Sequence, residues 1–185
     1  MIDEILDDAK RKMAAAVEHT RGEFAKVRTG RANPGLISDL PVEYYGTKTP
    51  LQQIAGISVP EPRMLVINPF DHSALKEIER AISSADLGLN PNSDGQVIRV
   101  VFPELTEERR REYVKLARER AEDGRVAVRN IRRQAKGDIG ELLDEGEVSE
   151  DEQRRADRQL QAITDKHTDE IDALLENKEH ELLEV

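Results

Sequence analysis

Apolar residues recur every seven positions over a long stretch in the second half of the chain. Two series carry the repeat: Val114, Ala121, Val128, Ala135 and Leu142 form one, and Ala117, Gly124 and Ile131 form the other. The offset of three or four residues between the series places both on one face of an α-helix. The repeat predicts a helix from a possible cap at Thr106 to about Asp144, roughly 40 residues or 60 Å at 1.5 Å per residue. A helix with such a continuous apolar face needs partner helices to cover it.

The same repeat predicts two further helices. The first covers Ile2 to Val27 and stops before Gly30. Its repeat consists of two seven-residue series, Ile2, Ala9, Ala16 and Glu23, and Leu6, Met13, Thr20 and Val27, with Phe24 on the same face. The other follows Gly146 and begins at Ser149, whose spacing to Glu152 is that of a capping box. Its apolar stripe consists of Ala156, Leu160, Ile163, His167, Ile171, Leu174, Leu175 and Leu182. Three long helices with seams of this kind predict an antiparallel three-helix bundle.

Residues 31–105 have a different character, because all eight prolines of the chain lie among them. Short β-forming runs bounded by Gly, Pro, Asn or Asp predict four strands: Val42–Tyr45, Ile54–Val59, Met64–Asn68 and Val97–Phe102. Between them, Ser73–Ser84 has the apolar spacing of an amphipathic helix. The predicted fold class is therefore α+β, a long antiparallel three-helix bundle with an inserted small β/α/β domain.

The insertion leaves and re-enters the bundle through two short tethers. We assign residues 1–29 and 106–185 to the bundle and 31–104 to the inserted domain. The tethers, which form a candidate hinge, consist of Thr29, Gly30, Arg31, Pro103, Glu104 and Leu105. Two adjacent short tethers allow one domain to turn against the other. The same boundaries also fit a rigid two-domain body.

Signatures of catalysis and metal binding are missing from the sequence. It contains no P-loop, no H-E-x-x-H segment and no cysteine, and its four histidines are scattered without ligand spacing. His167 lies on the seam of the last helix, where we expect a hydrogen-bonded structural role. We expect a protein that is not an enzyme and that holds no metal and no cofactor.

The ends and the hydropathy of the chain bear on its location. The acidic, amphipathic start MIDEILDDAK does not resemble a signal peptide, and no apolar run approaches the roughly 20 residues that span a bilayer. The lack of cysteine fits a reducing cytosol. We expect a cytoplasmic protein without a membrane partner.

One stretch of the long helix is purely basic in a chain whose formal net charge is -10. The segment from Gly124 to Gly137, GRVAVRNIRRQAKG, contains no acid and five cations: Arg125, Arg129, Arg132, Arg133 and Lys136. Steps of four, three and four residues align four of them beside the apolar seam, and Arg133 flanks the line. These five residues are called the basic stripe below.

Two interpretations of the basic stripe remain open on spacing alone. Arginine forks in a row at about 5–6 Å suit the phosphates of a nucleic acid. Alternatively, the same arginines form salt bridges with acids on a neighbouring helix, and the chain has 38 acids to supply them. No aromatic residue lies on the stripe, which disfavours stacking on single-stranded bases. A nucleic-acid partner would be structured RNA or DNA contacted through its backbone.

Six segments in order make the chain resemble the bacterial ribosome recycling factors. They are RTGRANPGLI at 28–37, VEYYGTKTPLQQIA at 42–55, ADLGLNPNSDGQVIRV at 85–100, PELTEERR at 103–110, RVAVRNIRR at 125–133 and VSEDEQ at 148–153. No single segment is decisive, but the series is highly specific and covers nearly the whole chain. The chain departs from the family pattern at Gln134 and the following Ala135-Lys136-Gly137, where an acid and polar residues are usual.

The resemblance implies an L-shaped, monomeric, cytoplasmic factor whose domains meet at a hinge. It implies that the factor works with elongation factor G and GTP to split the post-termination ribosome into subunits, and that the bundle lies on 23S RNA of the large subunit. Arg129 and Arg132 match RNA-contacting arginines of the family, and Arg125 and Arg133 are expected to support them. For Arg28 and Arg31 the resemblance leaves two roles open, an RNA contact or a junction contact.

A second function class fits the helical pattern without the resemblance. In it the chain is a coiled-coil adaptor or chaperone with a protein partner, and the arginines form internal salt bridges. Co-sedimentation with ribosomes distinguishes the two classes.

Overall fold

The computed structural model describes residues 1–184, which form two compact units. One unit contains Met1–Val27 and the chain from Glu108 onward, and the other contains Arg28–Glu107. The first is entirely helical and the second is built mainly of strands. The predicted α+β class, a long-helix unit interrupted by a small β-containing one, is confirmed.

The elements follow one another in an order close to the predicted one. They are α1 (Ile2–Ala25), β1 (Pro41–Tyr44), β2 (Thr47–Pro50), α2 (Leu51–Ile54), β3 (Ala55–Glu61), β4 (Met64–Pro69), α3 (Leu75–Ser84), β5 (Pro91–Ser93), β6 (Ile98–Val101), α4 (Glu107–Asp144) and α5 (Glu150–Leu183). Two 3-10 turns, Pro34–Leu36 and His72–Ala74, complete the set. None of these helices, over residues 1–184, is long and apolar enough to cross a membrane.

Helices α1, α4 and α5 form the helical unit. Along α4 and α5 the contacts run in opposite directions, since Arg118 bonds Glu179 at 2.6 Å and Arg125, one heptad later, bonds Asp172. The pair is therefore antiparallel, as predicted. Its core consists of Leu6, Ala9, Met13, Val17 and Phe24 of α1, Ala117, Ala121, Val128, Ala135 and Ile139 of α4, and Ala156, Leu160, Ile171 and Leu182 of α5.

Three predicted core positions of α4, Val114, Ile131 and Leu142, are only half-buried. Ile131 lines a groove of about 600 Å³ between α1 and α4, next to Ile5 and Ala9. Ile139, which the seven-residue series does not contain, is fully buried. The cause is the mismatch between 3.6 and 3.5 residues per turn, which rotates a strict heptad series by about 20° per repeat. By its third member the series that starts at Ala117 has therefore turned away from the centre of the seam.

The capping box that was predicted before α5 is present. The Ser149 hydroxyl accepts the Glu152 N–H at 3.3 Å, and the Glu152 carboxylate accepts the Ser149 N–H at 2.8 Å. The reciprocal bonds satisfy N–H groups that the first turn of a helix leaves without partners. Gly146, with φ +76, ends the preceding turn in a left-handed conformation that suits glycine.

The second unit contains two antiparallel sheets. Strands β1 and β2 form a hairpin, and the other four lie in the order β3-β4-β6-β5. The unit's core includes Leu65 and Ile67 of β4, Ile78 and Ile82 of α3, and Ile98 and Val100 of β6, each at most 1% exposed. These residues alternate along the strands and recur at helical spacing along α3, as half-buried elements require.

Several boundaries in this unit differ from the prediction. Tyr45 is not the end of a strand but lies in the hairpin turn with φ +49, and Ile54 ends the short helix α2. Strands β2 and β5 and helix α2 are not predicted by the sequence pattern. The helix predicted from Ser73 begins as a 3-10 turn, which the Asp71 carboxylate caps by accepting the Ser73 N–H at 2.9 Å.

Candidate nucleic-acid interface

The basic stripe lies entirely on α4, and its first residue is bound internally. The Arg125 side chain is 22% exposed and contacts Asp172 of α5 at 2.6 and 2.8 Å. A third nitrogen, Nη1, lies 3.3 Å from Glu122. With two carboxylates around it, Arg125 joins α4 to α5. Arg125 thus forms the internal salt bridges that the second interpretation describes, and its contact with RNA stays a prediction.

Arg129 is also neutralised, although it is half-exposed. Its Nη2 donates to Glu122 Oε1 at 2.5 Å, so Glu122 holds both Arg125 and Arg129. Hydrogen bonds from Arg129 first, and then from Arg125, hold the pKa of Glu122 below its usual value. Glu122 precedes the acid-free segment by only two residues, so it lies within one or two turns of both arginines.

Arg132 has a neutral partner instead of an acid. Its Nη1 donates to Gln161 Oε1 on α5 at 3.0 Å, and the Gln161 amide nitrogen donates to Asp165 at 2.7 Å. Asp165 thereby fixes which end of the Gln161 amide faces the guanidinium. The hydrogen bond orients Arg132 without cancelling its charge.

Arg133 and Lys136 complete the basic stripe and point into solvent. Within residues 1–184, neither forms a hydrogen bond or an ion pair. The stripe is therefore divided into two groups. Arg125 and Arg129 are paired with acids, whereas no neighbouring carboxylate compensates the charges of Arg132, Arg133 and Lys136. An anion that approaches α4 meets the second group without having to displace a carboxylate.

Arg158 of α5 lies beside this second group. It is exposed and lines a cleft together with Arg132 and Lys136. The basic run on α4 does not single out Arg158, because the segment around it, EDEQRRADR, mixes both charges. The antiparallel pairing of α4 and α5 is the signal that identifies it, since this pairing sets residues 157–161 opposite residues 132–136.

Arg28 has a partner inside the second unit. Its Nη2 donates to the carbonyl oxygen of Leu87, which ties the beginning of this unit to the loop after α3. That loop has two left-handed residues, Asp86 with φ +51 and Gly88 with φ +66. Arg28 is thus a loop-holding residue in the structure, and its other terminal nitrogen remains available.

The candidate hinge residues all fall within the second unit, whose limits are Arg28 and Glu107. Gly30 has φ +78, and a β-carbon at this position would contact Leu105 Cγ at 3.4 Å. The Arg31 N–H lies 3.4 Å from the Thr29 hydroxyl. Glu104 pairs with Arg63 at 3.1 Å, next to Pro103. The two tethers thus have defined local contacts, and their motion as a hinge stays a prediction.

His167 has the structural role that the sequence indicates. It is 4% exposed, and its Nδ1 donates to the Ile163 carbonyl at 2.7 Å. No group of three or more His, Cys, Asp or Glu side chains among residues 1–184 is arranged to hold a metal ion.

Comparison with known proteins gives one consistent result. Residues 20–183 match the sequence model of the family described as ribosome recycling factor. The chain is 56% identical to the ribosome-recycling factor of Thermobifida fusca and 52% identical to that of Streptomyces coelicolor, each over 185 residues and the full length of both chains.

Solved structures agree with these sequence matches. A solution structure of a ribosome recycling factor superimposes with a TM-score of 0.83 at 47% identity, covering 100% of this chain and 98% of the other. A second structure is described as models of the T. thermophilus ribosome recycling factor and E. coli elongation factor G bound to the E. coli post-termination complex. It matches with a TM-score of 0.69 at 45% identity over the whole of both chains.

Proposed function

The chain belongs to the ribosome recycling factor family, and we propose on this basis that it is a translation factor that splits the post-termination ribosome into subunits together with elongation factor G and GTP. The observation that carries the proposal is the full-length match to family members, one of them described on a post-termination complex with elongation factor G. The family consists of non-enzymatic factors, so the GTP is hydrolysed by the elongation factor. The adaptor or chaperone alternative has no comparable support.

The bundle docks on large-subunit 23S RNA through the basic stripe. Arg132, Arg133 and Lys136 make the first phosphate contacts, because no acid neutralises them and phosphate contacts position a protein on RNA without reading its sequence. Arg129 and Arg125 join only by exchanging a carboxylate for a phosphate. Arg28 offers its free Nη1 to the RNA while Nη2 holds the Leu87 carbonyl.

The inserted unit is the part that elongation factor G displaces. It turns about the two tethers, Thr29–Arg31 and Pro103–Leu105, while the bundle stays on the RNA. The factor acts as a monomer in the cytoplasm. A disulfide engineered across the junction, joining the bundle to the inserted unit, should leave ribosome binding intact and abolish splitting. Full splitting by the oxidised form would contradict the hinge.

Splitting of post-termination ribosomes tests the proposed function directly. Ribosomes carrying messenger and deacylated transfer RNA are mixed with the full chain, elongation factor G and GTP, and subunits are separated on a sucrose gradient. We expect free subunits only when all three components are present. A chain that neither co-sediments with ribosomes nor produces free subunits does not have this function and would favour the adaptor class.

A further inference from the structure

A cleft between α4 and α5 is lined mainly by charged side chains. Its volume is about 220 Å³, and its walls are Arg132 and Lys136 of α4 and Asp157, Arg158, Leu160 and Gln161 of α5. Three cations and one carboxylate give it a formal charge of +2. The cleft is open to solvent beside the second half of the basic stripe.

The register of the two helices sets Lys136 of α4 opposite Asp157 of α5. Arg132 bonds Gln161, and because the helices are antiparallel, one turn onward on α4 and one turn back on α5 bring Lys136 level with Asp157. Opposite charges that face each other at such a level normally pair. Here no ion pair forms between them within 4 Å, and the cleft occupies the space.

The Asp157 carboxylate pairs with none of the cations of the cleft. Among residues 1–184 its Oδ1 finds no hydrogen-bond partner and is buried, although the residue as a whole is half-exposed. Collapse of Lys136 or Arg158 onto Asp157 would satisfy the oxygen but would close the cleft and cancel its charge.

We propose that this cleft seats one backbone phosphate of the ribosomal RNA, held by Lys136, Arg158 and the outer nitrogens of Arg132. This inference rests on the proposed function and adds α5 to an interface that the sequence assigns to α4 alone. Gln161 positions Arg132 at the rim, whereas Asp157 repels the phosphate. The site takes a phosphodiester, whose oxygens match the converging N–H groups.

Two substitutions with opposite expected effects test the site. Arg158→Gln removes a charge-assisted contact and should weaken binding of the full chain to purified large subunits roughly 10-fold. It should also lower the log–log salt slope of that binding by up to about one, because one counterion fewer is released. Asp157→Asn removes a repelling charge and should tighten binding roughly threefold, about the effect of a unit charge some 6 Å away in water.

Arg21→Gln is the matched control, since it changes the net charge by the same amount. Arg21 is an exposed arginine of α1 that pairs with Glu18 at 3.1 Å and lies outside the cleft. The affinity of the Arg21→Gln variant for large subunits should equal that of the parent chain. The thermal midpoints of all three variants should stay near that of the parent, since Arg158 and Arg21 are exposed and Asp157→Asn preserves the shape.

The proposal requires both opposite changes. If either Arg158→Gln or Asp157→Asn binds large subunits as the parent does, while Arg132→Ala still loses binding, the phosphate seat is wrong and the proposed function stands. If the parent chain itself fails to bind large subunits, the proposed function is wrong and the inference falls with it.

Discussion

The hydroxyl oxygen of Thr20 on α1 lies 2.3 Å from the point where a β-carbon on Gly124 of α4 would stand. Ile171 Cδ1 of α5 lies 3.2 Å from the same point, so three helices meet where only glycine fits. Thr20 is held there, since its hydroxyl donates to the Ala16 carbonyl at 3.0 Å. The close approach explains why α4 keeps a buried glycine in its interior despite a helix-propensity cost of up to about 1 kcal/mol relative to alanine.

Gly124→Ala should therefore destabilise the bundle. Overpacking costs about 1–3 kcal/mol and outweighs the gain in helix propensity of up to about 1 kcal/mol, so we expect a net loss of about 1–2 kcal/mol in the free energy of unfolding. Urea titration monitored by helical circular dichroism measures it. Gly137→Ala is the control on the same helix, since no neighbour lies within 4 Å of its added carbon, and it should stabilise by up to about 1 kcal/mol.

A double substitution checks the cause. Thr20→Ala removes the obstructing hydroxyl, so Gly124→Ala should cost less in that background than in the parent chain. Equal stabilisation by Gly124→Ala and Gly137→Ala in the parent would show that the helices separate freely at this point.

Burial distinguishes Ile139 from Ile131 on the same helix. Ile139→Ala should lower the free energy of unfolding by about 2–5 kcal/mol, because a fully buried isoleucine leaves a cavity. Ile131→Ala should cost about 1 kcal/mol or less, since much of its side chain already faces the groove beside α1. Denaturant midpoints of the two variants give the comparison. A larger loss at Ile131 would mean that the strict heptad series, rather than the drifted one, marks the core.

The sequence pattern predicts long periodic elements well and short edge strands poorly. Helix α5 is predicted well for two reasons. Many residues follow the same seven-residue repeat, and the Ser149–Glu152 capping box marks its first turn. Strand β5 has only three residues, begins with Pro91 and pairs on one side only, so it carries no alternation to detect. Strand β2 pairs only with β1 and has only four residues.

Asp71 makes the second unit sensitive to acid. Its carboxylate accepts the Ser73 N–H at 2.9 Å and the hydroxyls of Tyr44 and Tyr45 at 3.1 and 3.0 Å. The bonds to Ser73 first, and then those from Tyr45 and Tyr44, lower the pKa of Asp71 from 3.8 to about 2. The folded state therefore binds this proton less readily than the unfolded chain, so the stabilisation is complete above pH 3.8 and is lost as the pH falls towards 2.

Asp71→Asn should remove this part of the pH dependence. The variant should be less stable than the parent at neutral pH, and the difference in denaturation midpoint should shrink as the pH falls from about 4 to about 2. Carbon-13 NMR of the Asp71 carboxyl group should give a midpoint near 2 in the parent. Tyr45→Phe removes one donor and should raise that midpoint. A midpoint of 3.8 in the parent would show that the hydrogen bonds to Asp71 do not lower its pKa.

The sequence pattern cannot predict which members of the basic stripe are paired with acids, and the reason is physical. Asp172 is 47 residues from Arg125, so their pairing depends on the register of α4 against α5. A one-turn change in that register would pair different residues, and an acid-free window says nothing about acids on the facing helix. The spacing does locate the stripe, while the packing decides which of its members keep their charge.

Arg125 and Arg132 should consequently give opposite phenotypes when replaced by alanine. Arg132→Ala removes a half-exposed arginine bonded to neutral Gln161, so the thermal midpoint should hardly change. It should remove a phosphate contact worth about 1.5–3 kcal/mol, or roughly 10- to 150-fold in affinity for the large subunit.

Arg125→Ala leaves Asp172 and Glu122 without their shared cation and removes an apolar stem from the α4–α5 contact. It should cost about 1 kcal/mol of stability with little loss of affinity once the protein is folded. Stability by urea titration and affinity by co-sedimentation are measured on the same preparations. An Arg132→Ala protein that is destabilised yet binds large subunits like the parent would move Arg132 from the RNA interface to the internal contacts of the bundle.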